Sequence, residues 1–158
     1  MHFLRNSILF LFSILFFQQL SAQDKYVDSL RNCFFTNSNV KNRLDAVINL
    51  SGNFIGQNHF DSAFHYIDLA IPMAQNDSLQ DQLASLYSNR AIGHVFQGSN
   101  SQGLNSIMKS MQISEKLKDS TSLINDYNII GIIQPILSCF FISLHIEMNN
   151  PNNVIVVY

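Results

Sequence analysis

The sequence predicts an all-α fold, a helix–turn–helix solenoid of about two and a half repeats. Three observations predict it. Apolar residues recur with helical period from about residue 42 to 133, polar turn clusters interrupt them at regular intervals, and the pattern returns on itself after a shift of 40 residues. The 158 residues leave room for one domain, and a net charge of −2 without any basic run gives no footprint for nucleic acid or an anionic membrane surface.

Residues 1–22 are expected to be a signal peptide. Arg5 supplies the positive start, residues 8–17 an apolar core, and Ser21-Ala22 a small-residue cleavage site that leaves Gln23 first, although Leu20 fits poorly just upstream. The apolar core of ten residues is short for a spanning helix. The chain is therefore expected to be exported, to the periplasm or cell envelope. Export permits a disulfide, but the two cysteines, Cys33 and Cys139, make no framework and read as two unrelated small apolar residues.

Residues 23–41 form a lead-in helix and turn, with Val27, Leu30 and Phe34 on one face and Thr36-Asn37-Ser38-Asn39 as the break. The first repeat, residues 42–78, pairs a helix over 42–55 with one over 60–74. The second helix carries Phe60, Ala63, Phe64, Ile67, Ala70, Ile71 and Ala74 as one apolar stripe. The second repeat, residues 79–118, pairs 79–96 with 101–117, broken at Gln97-Gly98-Ser99-Asn100. A partial repeat, 119–133, opens with the helix-start chemistry of Asp119-Ser120-Thr121. Asp-Ser also occurs at Asp28, Asp61 and Asp77, which resembles an O-glycosylation signal of some exported bacterial proteins as well as ordinary helix starts.

The shift of 40 residues aligns Val47 with Tyr87 and Tyr127, Ile48 with Ser88 and Asn128, Asn49 with Asn89, Ser51 with Ala91 and Gly131, and Asn58 with Gly98. In the second helices Ala63 aligns with Gly103, Ile67 with Ile107, Ala70 with Ser110 and Ile71 with Met111. Small residues recur in one column because two helices approach closely only where side chains are small. In this order the pattern resembles the tetratricopeptide repeat (TPR). Val47, Leu50, Ser51, Phe54, Phe60, Ala63 and Ala70 match its packing positions in the first unit, and Tyr87, Ala91, Gly98, Gly103 and Ser110 in the second. Arg90, His94 and Asn100 depart from it there, and Tyr127 to Gly131 begin a third unit. The repeat here is 40 residues, longer than the family's usual 34, and is similar to repeats in exported or membrane-anchored bacterial sensor histidine kinases and transcriptional regulators.

The resemblance implies a protein-binding groove on the first helix of each unit. Carried over by position, the groove residues are Asp45, Asn49, Asn53, Ser85, Asn89 and Ile92. Side-chain amides suit a peptide backbone because they both donate and accept. The alternative is that Asn49 and Asn89 stabilise helix packing, and Arg90 is a further candidate for the groove. Some family members hold a terminal carboxylate with Asn plus Lys, but Asp45 and Ser85 stand near those lysine places, so that clamp is not expected.

No catalytic constellation stands out. There is no glycine-rich phosphate loop, His59 and His65 lack ligand spacing, and carboxylates such as Asp61, Asp68, Asp77 and Asp81 occur singly. Neither enzyme activity nor a cofactor or metal is expected. The expected function is a protein–protein interaction scaffold, a truncated sensory TPR region of a bacterial signalling protein. Its partner would be a protein or peptide, with self-association open and no nucleic acid.

Residues 134–158 are an atypical apolar tail. Pro135 stands where the last helix should continue, Glu147 is the only charge after Asp126, and the end is Asn-rich and then β-branched. It reads as a displaced continuation after truncation, as a capping segment, or as a transmembrane segment that would make the chain a membrane-anchored receptor fragment.

Overall fold

The computed structural model describes the backbone of residues 23–148 and the side chains of residues 23–134. The expected signal peptide and residues 149–158 lie outside it. Among the described residues the chain is helical throughout, in six segments. These are α1 (23–36), α2 (Val40–Gly56), α3 (Phe60–Asn76), α4 (Gln80–Phe96), α5 (Asn100–Leu117) and α6 (Ser120–Met148). The all-α class expected from the periodicity is what the chain adopts. The helical backbone also runs through Pro135, where the sequence led us to expect a break. Among the described residues no helix is long and apolar enough to cross a membrane.

The helices stack as antiparallel pairs. α2 packs on α3 and on α4, α3 packs on α4, α4 on α5, and α6 lies against both α4 and α5. Thus α2, α4 and α6 form one layer, with α3 and α5 in the other. Each pair buries the stripe that the sequence shows. Leu44, Val47, Ile67, Ala70, Ala74, Leu83 and Leu86 meet Phe34 of α1 in one cluster, and Leu50, Phe54, Ile55 and Ala63 meet Val27 in a second. Ala91, Val95 and Ile107 receive Ile129 and Ile133 of α6 in a third. Burying one such aliphatic side chain stabilises the fold by about 1.5–3 kcal/mol, so the apolar stripes dominate the stack. α1 is tied on by Arg43, whose Nε donates to the Phe34 carbonyl at 2.7 Å while its guanidinium lies over the Phe34 ring.

Small residues set the helix spacing. Ala63, Ala70 and Ala74 of α3 are wholly buried, as are Ser110 and Ser114 of α5 within about a per cent. Ala63 packs in the cluster holding Ile55, and Gly103 lies against Val95, the residue 40 places on from Ile55. A Cβ at Gly103 would stand 3.0 Å from Val95 Cγ2 and 3.3 Å from the Ala91 carbonyl oxygen. Ala63 and Gly103 thus stand against matching residues of the preceding helix.

The turns repeat at half the sequence period. Asn58, Ser78, Gly98 and Lys118 all take φ between 57° and 81°, and they are spaced 20 residues apart. The amide after each donates to the carbonyl five residues back: His59 to Phe54 at 2.8 Å, Leu79 to Ala74 at 2.9 Å, Ser99 to His94 at 2.8 Å and Asp119 to Ser114 at 3.0 Å. This is the left-handed helix stop that satisfies otherwise unpaired terminal carbonyls.

Candidate functional site

The layer of α2, α4 and α6 carries a groove of about 370 Å³. Its walls are Ile48 of α2, Ser85, Ser88, Asn89 and Ile92 of α4, and Asn125, Asn128 and Ile129 of α6. Helical period explains the set, since Ser85, Ser88, Asn89 and Ile92 fall three, four and seven residues apart on one face.

Of the six expected groove residues, Ser85, Asn89 and Ile92 line this cavity and Asp45, Asn49 and Asn53 do not. The reason lies in what bridges α2 to α4. Gln82 Nε2 donates to Asp45 Oδ1 at 3.1 Å, so Asp45 serves the helix contact. Asn49 is exposed and its amide turns back to the Asp45 carbonyl of its own helix at 3.0 Å, and Asn53 accepts from Gln57 at 2.9 Å.

Asn89 has a structural task as well. Its Nδ2 donates to the Ile48 carbonyl at 2.8 Å and lies 3.0 Å from the Ser51 hydroxyl. Its amide nitrogen is therefore occupied in holding α4 to α2, and only the remainder of the side chain faces the cavity. Arg90, the other groove candidate, points away from it. Its Nη1 pairs with Asp68 of α3 at 2.5 Å, beside His94, which stacks on Phe64 at 4.5 Å between ring centroids. Burial, and next the Arg90 charge, push the His94 imidazole below its ordinary value.

Leu50, Phe54, Ala63, Ala70, Ala91, Gly103 and Ser110 are buried, and Tyr87 is half-buried under the Lys109 ammonium. Tyr127 and Gly131, assigned to packing by register, are instead exposed, Tyr127 at 58%. The α2 and α4 residues in those columns are covered by α3 and α5, and no helix among the described residues does the same for α6.

The sequence reading passed over Asp126. It is only 1% exposed and lies at the junction of three helices. Its Oδ1 accepts from the Ser88 hydroxyl of α4 at 3.0 Å and from the Ser110 hydroxyl of α5 at 3.1 Å, with Ser110 also 3.0 Å from the Ala84 carbonyl. Its Oδ2 is buried without a partner among the described residues. Burial raises the Asp126 carboxyl above its ordinary value against the pull of the Ser110 and Ser88 hydroxyls, and the Asp119 charge adds to the rise. The register held the clue, since a shift of 40 puts Asp126 in the column of Ala46 and Leu86, both buried.

The chain matches no known family model, no curated protein and no solved structure. The groove offers hydroxyls, side-chain amides and one carboxylate between aliphatic walls, a surface suited to binding polar chain segments. Among the described residues, no three His, Cys, Asp or Glu side chains converge to hold a metal ion.

Proposed function

We propose that the chain is a protein–protein interaction scaffold of the tetratricopeptide type, and that the groove on α2, α4 and α6 seats a segment of its partner. The observation that carries this reading is the groove itself. It runs across three stacked helices and combines apolar walls at Ile48, Ile92 and Ile129 with the amides of Asn125 and Asn128. Apolar walls with a few fixed polar groups are the make-up of a binding site. The sequence resemblance to repeats of exported sensor proteins supports reading such a scaffold as the sensory arm of a bacterial signalling system in the cell envelope.

The test fills the groove. Ser85 is half-buried at the wall and Asn125 is exposed, so Ser85→Trp with Asn125→Trp obstructs the cavity without touching the interhelix bonds of Asn89. Wild-type and doubly substituted chains are used as bait against the envelope fraction of the source cells. A partner held by the wild type and released by the variant, with equal helical circular dichroism, is the expected result. Equal capture by both chains counts against the groove.

A further inference from the structure

Among the described residues, Asp126 is the only charged residue lining the groove, and no Lys, Arg or His lines it to answer that charge. Its bonding is half complete. Oδ1 takes both seryl hydroxyls, whereas Oδ2 has no partner among the described residues. The matching places of α2 and α4 hold the buried apolar residues Ala46 and Leu86, so the carboxylate is particular to α6. Burial of a charge without a counter-charge is costly and pushes the carboxyl toward its protonated form, and a cation that reaches it offsets that cost.

We propose that the groove takes a basic segment of the partner, with one lysine side chain delivering its ammonium to the Asp126 carboxylate; Oδ2 is closed to solvent in this structure, so the contact requires the side chains over it to part. This rests on the protein-binding reading above and names the chemistry of the bound segment. Lysine fits better than arginine. A guanidinium binds best across both oxygens of a carboxylate, and Oδ1 is already occupied by Ser88 and Ser110. An ammonium is a compact charge that needs one oxygen and has two further donors, and Asn125 and Asn128, which line the same cavity, each carry an amide oxygen able to accept one. The four-carbon stem then lies along the aliphatic walls at Ile48, Ile92 and Ile129. Removal from water strengthens the pair relative to a surface ion pair.

The probes are N-acetyl-lysine methylamide and its uncharged isostere, N-acetyl-norleucine methylamide. Each is titrated into the isotope-labelled full chain, with amide and carboxyl shifts followed by NMR. The expected result is saturable shifts of the Ser88, Asn125 and Asp126 signals with the lysine probe, about tenfold or more weaker binding of the norleucine probe, and the same loss in Asp126→Asn. The lysine probe also lowers the midpoint of the Asp126 carboxyl titration, an effect that a merely structural role would not produce. A second variant guards against misfolding of the first. Ser85→Lys places an ammonium at the same cavity and is expected to abolish lysine binding, while Ser85→Gln keeps it. Equal binding of both probes would overturn the cation site and leave the scaffold standing. No groove shifts with either probe would also overturn the cation site, and the scaffold would then stand or fall on partner capture with the obstructed groove.

Discussion

Asn58, Ser78, Gly98 and Lys118 share one left-handed turn conformation, yet only Gly98 is free of the steric cost that a Cβ brings there. Asn tolerates the region, whereas Ser78 and Lys118 are held in it by the bonds their turns make and by the packing of the helices on either side. Lys118 is exposed and its side chain takes no part in the core. Lys118→Gly should therefore stabilise the chain by about 0.5–1 kcal/mol, read as a higher urea midpoint. An unchanged or lower midpoint would mean that the lysine makes up the backbone cost elsewhere. Asn89 teaches a different lesson at this scale. Its column was visible in the sequence, but a side-chain amide looks the same whether it faces a ligand or the Ile48 carbonyl. Only the path of the neighbouring helix decides between them.

Among the elements, the helical stripes were readable from spacing alone, because a 3.6-residue period fixes which side chains share a face. Ala63, Ala70, Gly103 and Ser110 all stand buried where register put them. The docking of α6 was harder to read, since it turns on a carboxylate in an apolar column. Its bonds to Ser88 and Ser110 tie α6 to α4 and α5, and its titration makes that tie depend on pH. The folded carboxyl holds its proton more tightly than the unfolded one. The stability it contributes is therefore full below the unfolded value and is lost as pH rises through the folded value. Asp126→Asn cannot titrate at this position. The wild type should thus gain on the variant as pH falls from about 7 to about 4, through the carboxylate range. His94, whose imidazole is pushed down chiefly by burial, titrates in both chains and cancels. Urea midpoints of the two chains across that range check this, and a gap that does not change with pH would remove Asp126 from the account.

For the whole molecule, the outer face of α6, uncovered among the described residues, matters most. Ile124 is 62% exposed, Tyr127 58% and Ile132 52%, and Gly131 lies between them on one face of α6. Of the matching α4 residues, Ala84 and Ala91 are buried and Tyr87 is half-buried, on a helix that packs against α5. A contiguous apolar face of this kind drives association. Sedimentation should show concentration-dependent self-association of the full chain, reduced in the Ile124→Lys, Tyr127→Lys double variant with helical content retained. A concentration-independent monomer in both would dispose of that expectation. Register assigned Tyr127 and Gly131 to packing, but a local pattern does not say which neighbour covers a face, and among the described residues none covers this one. The evenly placed turns bear on ancestry. A chain that reverses direction by the same manoeuvre every 20 residues can gain or lose a whole hairpin in a single genetic duplication or excision and still find each seam matched. An insertion of a single residue inside a helix would rotate the rest of that helix out of alignment by about 100°, so lineages of this architecture should vary in steps, like beads added to a string.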